Sequence, residues 1–175
     1  MRRPVSTLAL GAIAAIVVAA VAVSCGSDNT VAPVVHPTYV ANLNINAETP
    51  PGGTPFTQTS SGVATFVDMG NEIDWTLNLT NITGVTLSHI HLGDATAVAA
   101  PGPGAGPVII NLFLPNGATG LVNGEVAHGS ITNANNPNIS LDSLRVLFNN
   151  GHAYANVHTT AHPGGEIRDQ IHPSP

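Results

Sequence analysis

His89-Ile90-His91 is where residue types and spacing most plainly carry chemistry in this sequence. On an extended strand, side chains i and i+2 project to the same side, with Cα atoms roughly 6.5–7 Å apart. Two imidazoles placed this way can converge on one metal ion at about 2.0–2.1 Å each. A third ligand must then come from another strand. His158, in the middle of the run Ala153 to Thr160, is the candidate, with His152 at the entrance of that run as a further one. Three neutral imidazoles suit copper or zinc, whereas magnesium and calcium take oxygen ligands. His162 would lie about 13 Å from His158 along a strand, so only a turn folding back would bring it near. Asp94, Asn156 and Glu166 are the candidates to accept the outer ring N–H of a ligand and so fix its tautomer. A second reading stays open: a polar strand face whose rings hydrogen-bond to Asn156 or Glu166 without a metal.

These residues need strands to position them. Gly151 to Ile171 reads as a β-hairpin, with Ala153 to Thr160 going out, Ala161 to Gly165 turning, and Glu166 to Ile171 returning. Pro163 presets φ for the turn, and Gly164-Gly165 can take the positive φ of a tight reversal. Tyr154 and Asn156 share a face with His158. Glu166 and Arg168 share a face of the return arm and are expected to pair with each other or across strands. The chain has no Gly-x-Ser-x-Gly, no nucleophilic cysteine and no carboxylate dyad, so the sequence does not point to a hydrolase.

Further upstream, Tyr39 to Ala47 alternates apolar and Asn residues and reads as a half-buried strand. Gly62 to Asp68 and Glu72 to Thr80 flank Gly70-Asn71, a hairpin signal. Val85 to Leu92 is the next strand. Val108 to Leu114 is nearly all apolar, as expected of a strand buried on both faces. Leu121 to Ile131 is strand-like but broken by glycines. One helix is expected at 141–149: Ser140 can cap it, Asp142 suits its N-terminal end, and Asn150-Gly151 can close it. Its apolar stripe is Leu141, Leu144, Val146, Leu147 and Phe148. The fold class is therefore all-β, with about eight short strands and turn signals at sandwich-like spacing. Aromatics are only 4% of residues, so aliphatic side chains must form most of the core.

The N-terminus is set apart from this domain. Met1-Arg2-Arg3 precedes an uncharged apolar run, Thr7 to Val23, and then Ala22-Val23-Ser24-Cys25. This resembles a bacterial lipobox, which implies a signal peptide at 1–24, cleavage before Cys25 and lipidation of its thiol. Residues 25–37 would then be the lipidated cysteine and a flexible tether. Several acyl chains on one residue anchor firmly where one would be marginal. The resulting expectation is a protein lipid-anchored in the bacterial cell envelope, periplasmic or surface-exposed. The formal net charge is −6 and there is no lysine. Removal of Arg2 and Arg3 leaves Arg145 and Arg168 as the fixed cations. Such a chain has no electrostatic footprint for nucleic acid. With its single cysteine acylated, no internal disulfide forms, and packing or packing plus metal must hold the fold.

With the strands placed, four motifs appear in order: Ser88-His89-Ile90-His91-Leu92-Gly93, Gly106-Pro107-Val108-Ile109, Gly151-His152-Ala153-Tyr154-Ala155-Asn156-Val157-His158-Thr159, and Pro163-Gly164-Gly165-Glu166-Ile167-Arg168. Together they closely resemble the CHRD (chordin) domain, from about Tyr39 to Ile171. Asp169 departs from the Gly usual there, and the loop before Gly106 is long and rich in Pro, Gly and Ala. The resemblance implies a Greek-key or immunoglobulin-like β-sandwich or barrel over 38–172, with 173–175 a tail, of a kind found in secreted or surface proteins. It also makes Tyr154, Pro163, Gly164, Gly165 and Arg168 parts of the family scaffold. The first functional expectation is a non-enzymatic, membrane-tethered module binding copper or zinc through His89, His91 and His158. An alternative is a metal-free module whose loops Thr49 to Gly62 and Asp94 to Pro107 bind a protein or glycan. Ranked last is a copper redox enzyme. His89 to Asp94 resembles the copper-ligand strand of Cu/Zn superoxide dismutases, but the disulfide and the substrate-guiding arginine of those enzymes have no counterpart here.

Overall fold

The protein is described by a computed structural model over residues 34–48, 59–93, 106–113 and 118–175. Expectations for the leader, Cys25 and most of the tether fall outside these residues, as do Asp94 and most of the two long loops. Among the described residues there are eight strands: β1 (Thr38–Ala41), β2 (Ser61–Asp68), β3 (Ile73–Leu92), β4 (Val108–Phe113), β5 (Ala118–Ile131), β6 (Ala153–Thr159), β7 (Ile167–Gln170) and β8 (His172–Pro173). One helix, α1 (Leu141–Asn150), lies between β5 and β6. Among the described residues no helix is long and apolar enough to cross a membrane.

The strands form one antiparallel, nearly closed barrel-like sheet. β3 organises it because it serves two neighbourhoods. Its first half pairs β2 from Thr80 back to Ile73 and carries β5 on the other edge. Its second half, from Val85, pairs β6 on one edge and β4 on the other. The register with β5 is interrupted on either side of Ile82–Thr83, and positive φ at Asn81 (54°) and Gly84 (70°) marks the change of partners. The two sequence runs 72–80 and 85–92 are thus one strand with an irregular middle. β7 pairs β6, the next residues form β8 on β1, and β1 pairs β2. Asn44 bridges both Ser61 and Arg168 at the seam. The last residues are therefore part of the barrel wall, since Pro173 sits opposite Tyr39.

Period-2 alternation sends Ile73, Trp75, Leu77 and Leu79 of β3 inward beside Ala64 and Phe66 of β2. Ser140 caps α1 by accepting from the Ser143 amide at 3.2 Å, and Gly151 closes it in the left-handed conformation. Leu141, Leu144 and Phe148 are the buried residues of α1, and Phe148 packs against Tyr39 and Phe66 with ring centroids 5.3 and 5.2 Å away. Val146, expected in that stripe, is exposed. Arg145 ties the helix to the β2–β3 turn: Nε donates to Asp68 Oδ2 at 2.7 Å, and Nη2 to Asp68 Oδ1 at 2.8 Å and to the Gly70 carbonyl at 2.6 Å.

Two strand expectations need correction. β1 stops at Ala41, and Ile45–Ala47 is a 3-10 turn. The Asn44 side chain accepts from the amides of Asn46 and Ala47 at 3.0 Å each, a local bond that competes with strand pairing. β4 is not buried on both faces. Among the described residues it pairs only β3, and Val108 and Asn111 are exposed while Ile110 and Leu112 face the core.

Candidate metal centre

The second half of β3 and all of β6 lie side by side, and register decides which side chains meet. Ser88 and Ile90, with Ala155 and Val157 across from them, are fully buried on the core side. Alternation therefore puts His89 and His91 on the outer wall, opposite Asn156 and Tyr154, with His158 opposite Leu87. Arg168 of β7 joins the same face opposite Asn156. All seven residues of β6 are nonetheless buried. Core covers one face of that strand, and the Glu48, Gly106 and Pro163 segments approach the other.

His89, His91 and His158 come together there. Each offers one ring nitrogen, and the three atoms lie within 4.8 Å of one another. Ring centroids are 5.0 Å apart for His89 and His158, 5.6 Å for His89 and His91, and 6.3 Å for His91 and His158. Backbone carbonyls set the tautomers, because a carbonyl can only accept. His158 Nδ1–H donates to the Pro163 carbonyl at 2.9 Å, and His91 Nδ1–H to the Gly106 carbonyl at 3.2 Å. Nε2 of both rings is thereby left as a lone pair. His158 Nε2 lies 3.2 Å from His89 Nδ1, which must donate to it. His91 Nε2 is buried and has no hydrogen-bond partner. A buried acceptor without a partner is costly unless something fills the place.

Burial, the first cause in all three rings, makes protonation unfavourable. It lowers the His89 pKa to about 4, with the neighbouring His158 and His91 adding to the effect. His91 and His158 are also lowered by burial, against the opposing pull of the Gly106 and Pro163 carbonyls. At neutral pH all three are neutral donors, the form a metal requires.

Behind His91 is a second layer. Its ring stacks on Tyr154, with centroids 4.9 Å apart and planes 6° off parallel. The Arg168 guanidinium carbon lies 5.4 Å from the Tyr154 ring centre. Arg168 Nε–H donates to the Ala47 carbonyl at 2.8 Å, and Glu48 Oε2 lies 2.7 Å from the same nitrogen. Both members of this pair are buried. Burial pushes the Glu48 carboxyl up to about 7, with Arg168 opposing. Gly165 (φ 130°) makes the slot for it: a Cβ there would strike the Glu48 carboxylate and the Asn156 amide. Gly106 (φ 52°) is equally constrained, since a Cβ would run into the Leu92 carbonyl.

His89, His91 and His158 thus meet as expected from spacing. His152 is exposed and stands outside the group. Glu166 is engaged by hydroxyls and not by the three clustered rings. Its carboxylate takes the hydroxyls of Ser60 and, at 2.7 Å, Thr159. Arg168 pairs with Glu48, while Glu166 lies just ahead of β7. Asn156 is buried beside Gly165, and its Oδ1 accepts no hydrogen bond from a ring. Three contributors were not foreseen: the carbonyls of Gly106 and Pro163, and Glu48. Pro163 was expected in a turn and Gly106-Pro107 stood in a motif, but no side-chain pattern reveals a carbonyl's aim.

Fold and site together define a small antiparallel β-barrel module with a buried three-imidazole cluster on its outer wall. The family model of the CHRD domain matches residues 39–171, and this chain belongs to the CHRD domain family. No curated protein and no solved structure matches it.

Proposed function

We propose that this chain is an extracytoplasmic-type binding module that holds one copper or zinc ion through His89 Nδ1, His91 Nε2 and His158 Nε2. The observation that carries the reading is the tautomer pattern. Two backbone carbonyls take the outer N–H groups of His91 and His158, so their Nε2 lone pairs are free to bind, and the His91 one has no other partner. Carbonyl-oriented imidazoles of this kind are the usual support of metal ligands. His89 joins by moving its proton from Nδ1 to Nε2. The role is binding without catalysis. Arg145 is engaged by Asp68 and Arg168 by Glu48 and Ala47, so neither is placed to guide an anionic substrate as a dismutase requires.

The N-terminal sequence supports attachment of this module to the bacterial cell envelope through acyl chains on Cys25. A Cys25→Ser variant that is processed and membrane-associated like the parent would sink that part. For the metal, the test is elemental analysis and titration with copper and zinc beside a His89→Ala/His91→Ala variant. The parent takes up one equivalent that the variant lacks. Equal uptake by both would dismiss the site.

A further inference from the structure

We propose that the three-histidine centre is a cuprous site, selecting monovalent copper over divalent zinc or copper. This rests on the metal-binding reading above and adds the charge of the ion. Two arguments carry it: ligand number and ligand charge.

The cluster supplies three nitrogens. Around a metal at about 2.0 Å, a trigonal set has its donors about 3.5 Å apart. The His89–His158 pair is already at 3.2 Å, and the other separations, all within 4.8 Å, must reach about 3.5 Å on binding. Three-coordination satisfies a d¹⁰ monovalent copper ion. Zinc on three imidazoles needs a water as its fourth ligand, and divalent copper prefers a tetragonal set. Among the described residues no further histidine, cysteine or carboxylate joins the group.

No donor in this set carries a charge. Among the described residues the nearby carboxylates are engaged elsewhere: Glu166 with two hydroxyls, Glu48 with Arg168, and Asp169 Oδ2 with the Asn42 amide at 3.1 Å. The cost of burying an ion scales with the square of its charge, so a dication faces roughly four times the desolvation of a monocation. Without an anionic ligand, nothing in the set offsets that difference.

The test is an anaerobic titration of the full chain with Cu(I) against a chromogenic Cu(I) chelator, run beside Zn(II) and Cu(II) competitions. X-ray absorption of the loaded protein reports ligand number. The expected outcome is one Cu(I) held by three nitrogens, about tenfold or more tighter than Zn(II). Loss of Cu(I) binding in His158→Ala, with the fold intact by circular dichroism, belongs with that outcome. Tighter binding of Zn(II) or Cu(II), or a four-coordinate spectrum, overturns the cuprous assignment while leaving the metal site standing. A Zn(II) preference that disappears in Asp94→Asn would overturn it by identifying a carboxylate ligand. If no metal binds, the underlying reading fails as well.

Discussion

Replacing Arg168 by Met should reveal the buried charge that stands behind the cluster. Arg168 is 2% exposed, and its nitrogen serves both the Ala47 carbonyl and the Glu48 carboxylate. Methionine keeps much of the volume but leaves Glu48 buried without its cation. Breaking a buried pair on one side typically costs about 3–5 kcal/mol. The pH dependence identifies the mechanism. Glu48 already titrates near 7 with Arg168 present, and Arg168 is what pulls that value down. In Arg168→Met the folded-state pKa of Glu48 rises further, so the folded variant takes up a proton at a pH where the folded parent has none. Stability falls with rising pH wherever the folded state binds more protons than the unfolded one. The variant's deficit relative to the parent is therefore largest at high pH. It shrinks as pH falls toward 7, by up to about 1.4 kcal/mol per pH unit. Below 7 it levels off, because Glu48 is then protonated in both proteins. Urea unfolding at pH 9, 8, 7 and 6 measures this directly. Glu48→Gln in the Arg168→Met background should remove the pH dependence and recover part of the loss. A deficit that is flat from pH 9 to 6, or no rescue by Glu48→Gln, would refute the argument.

Three further outcomes follow from the same geometry. Arg145→Met should cost about 1–3 kcal/mol at pH 7 in urea unfolding, since Asp68 loses both of its guanidinium contacts. Hydrogen bonding to Arg145 holds the Asp68 pKa below 3.8, so that contribution is present above 3.8 and lost as pH falls through the lowered value. Parent and variant should then converge in strong acid. Gly165→Ala should destabilise by about 2 kcal/mol or more in thermal melts, because φ is 130° and the new Cβ meets the Glu48 carboxylate. The metal-free protein should lose stability as pH falls from 6.5 toward 4: the unfolded chain protonates its histidines in that window, whereas folded His89 resists down to about 4. His89→Ala should flatten this slope in denaturation curves taken at pH 7, 6 and 5, and an unchanged slope would assign the acid sensitivity elsewhere.

The sequence carried the barrel's strands and the identity of its cluster for a simple reason. Strand period is two, so His89 and His91 had to share a face, and the alternating apolar positions around them had to be the other face. Asn44 marks where that logic ends, since a short side chain bonding back to its own backbone stops β1 without altering the hydrophobic pattern. The irregular middle of β3 escaped for a related reason. Asn81 and Gly84 look like a turn in sequence, yet pairing to β5 continues past them. Glu48 was invisible as a site component because its partner lies 120 residues away, and only β7 docking at the Asn44 seam brings them together. Glu166 was legible as a polar residue of the return arm, but the Ser60 and Thr159 hydroxyls engage it in place of an imidazole.

The most direct measurement is an anomalous difference map from crystals of the copper- or zinc-loaded protein, recorded at the edge of the bound metal. The account predicts one peak within bonding distance of His89 Nδ1, His91 Nε2 and His158 Nε2, with the Gly106 and Pro163 carbonyls still holding the outer N–H groups of His91 and His158. A peak at the exposed His128 or His152 with none among the three rings, or no peak at all, would contradict it.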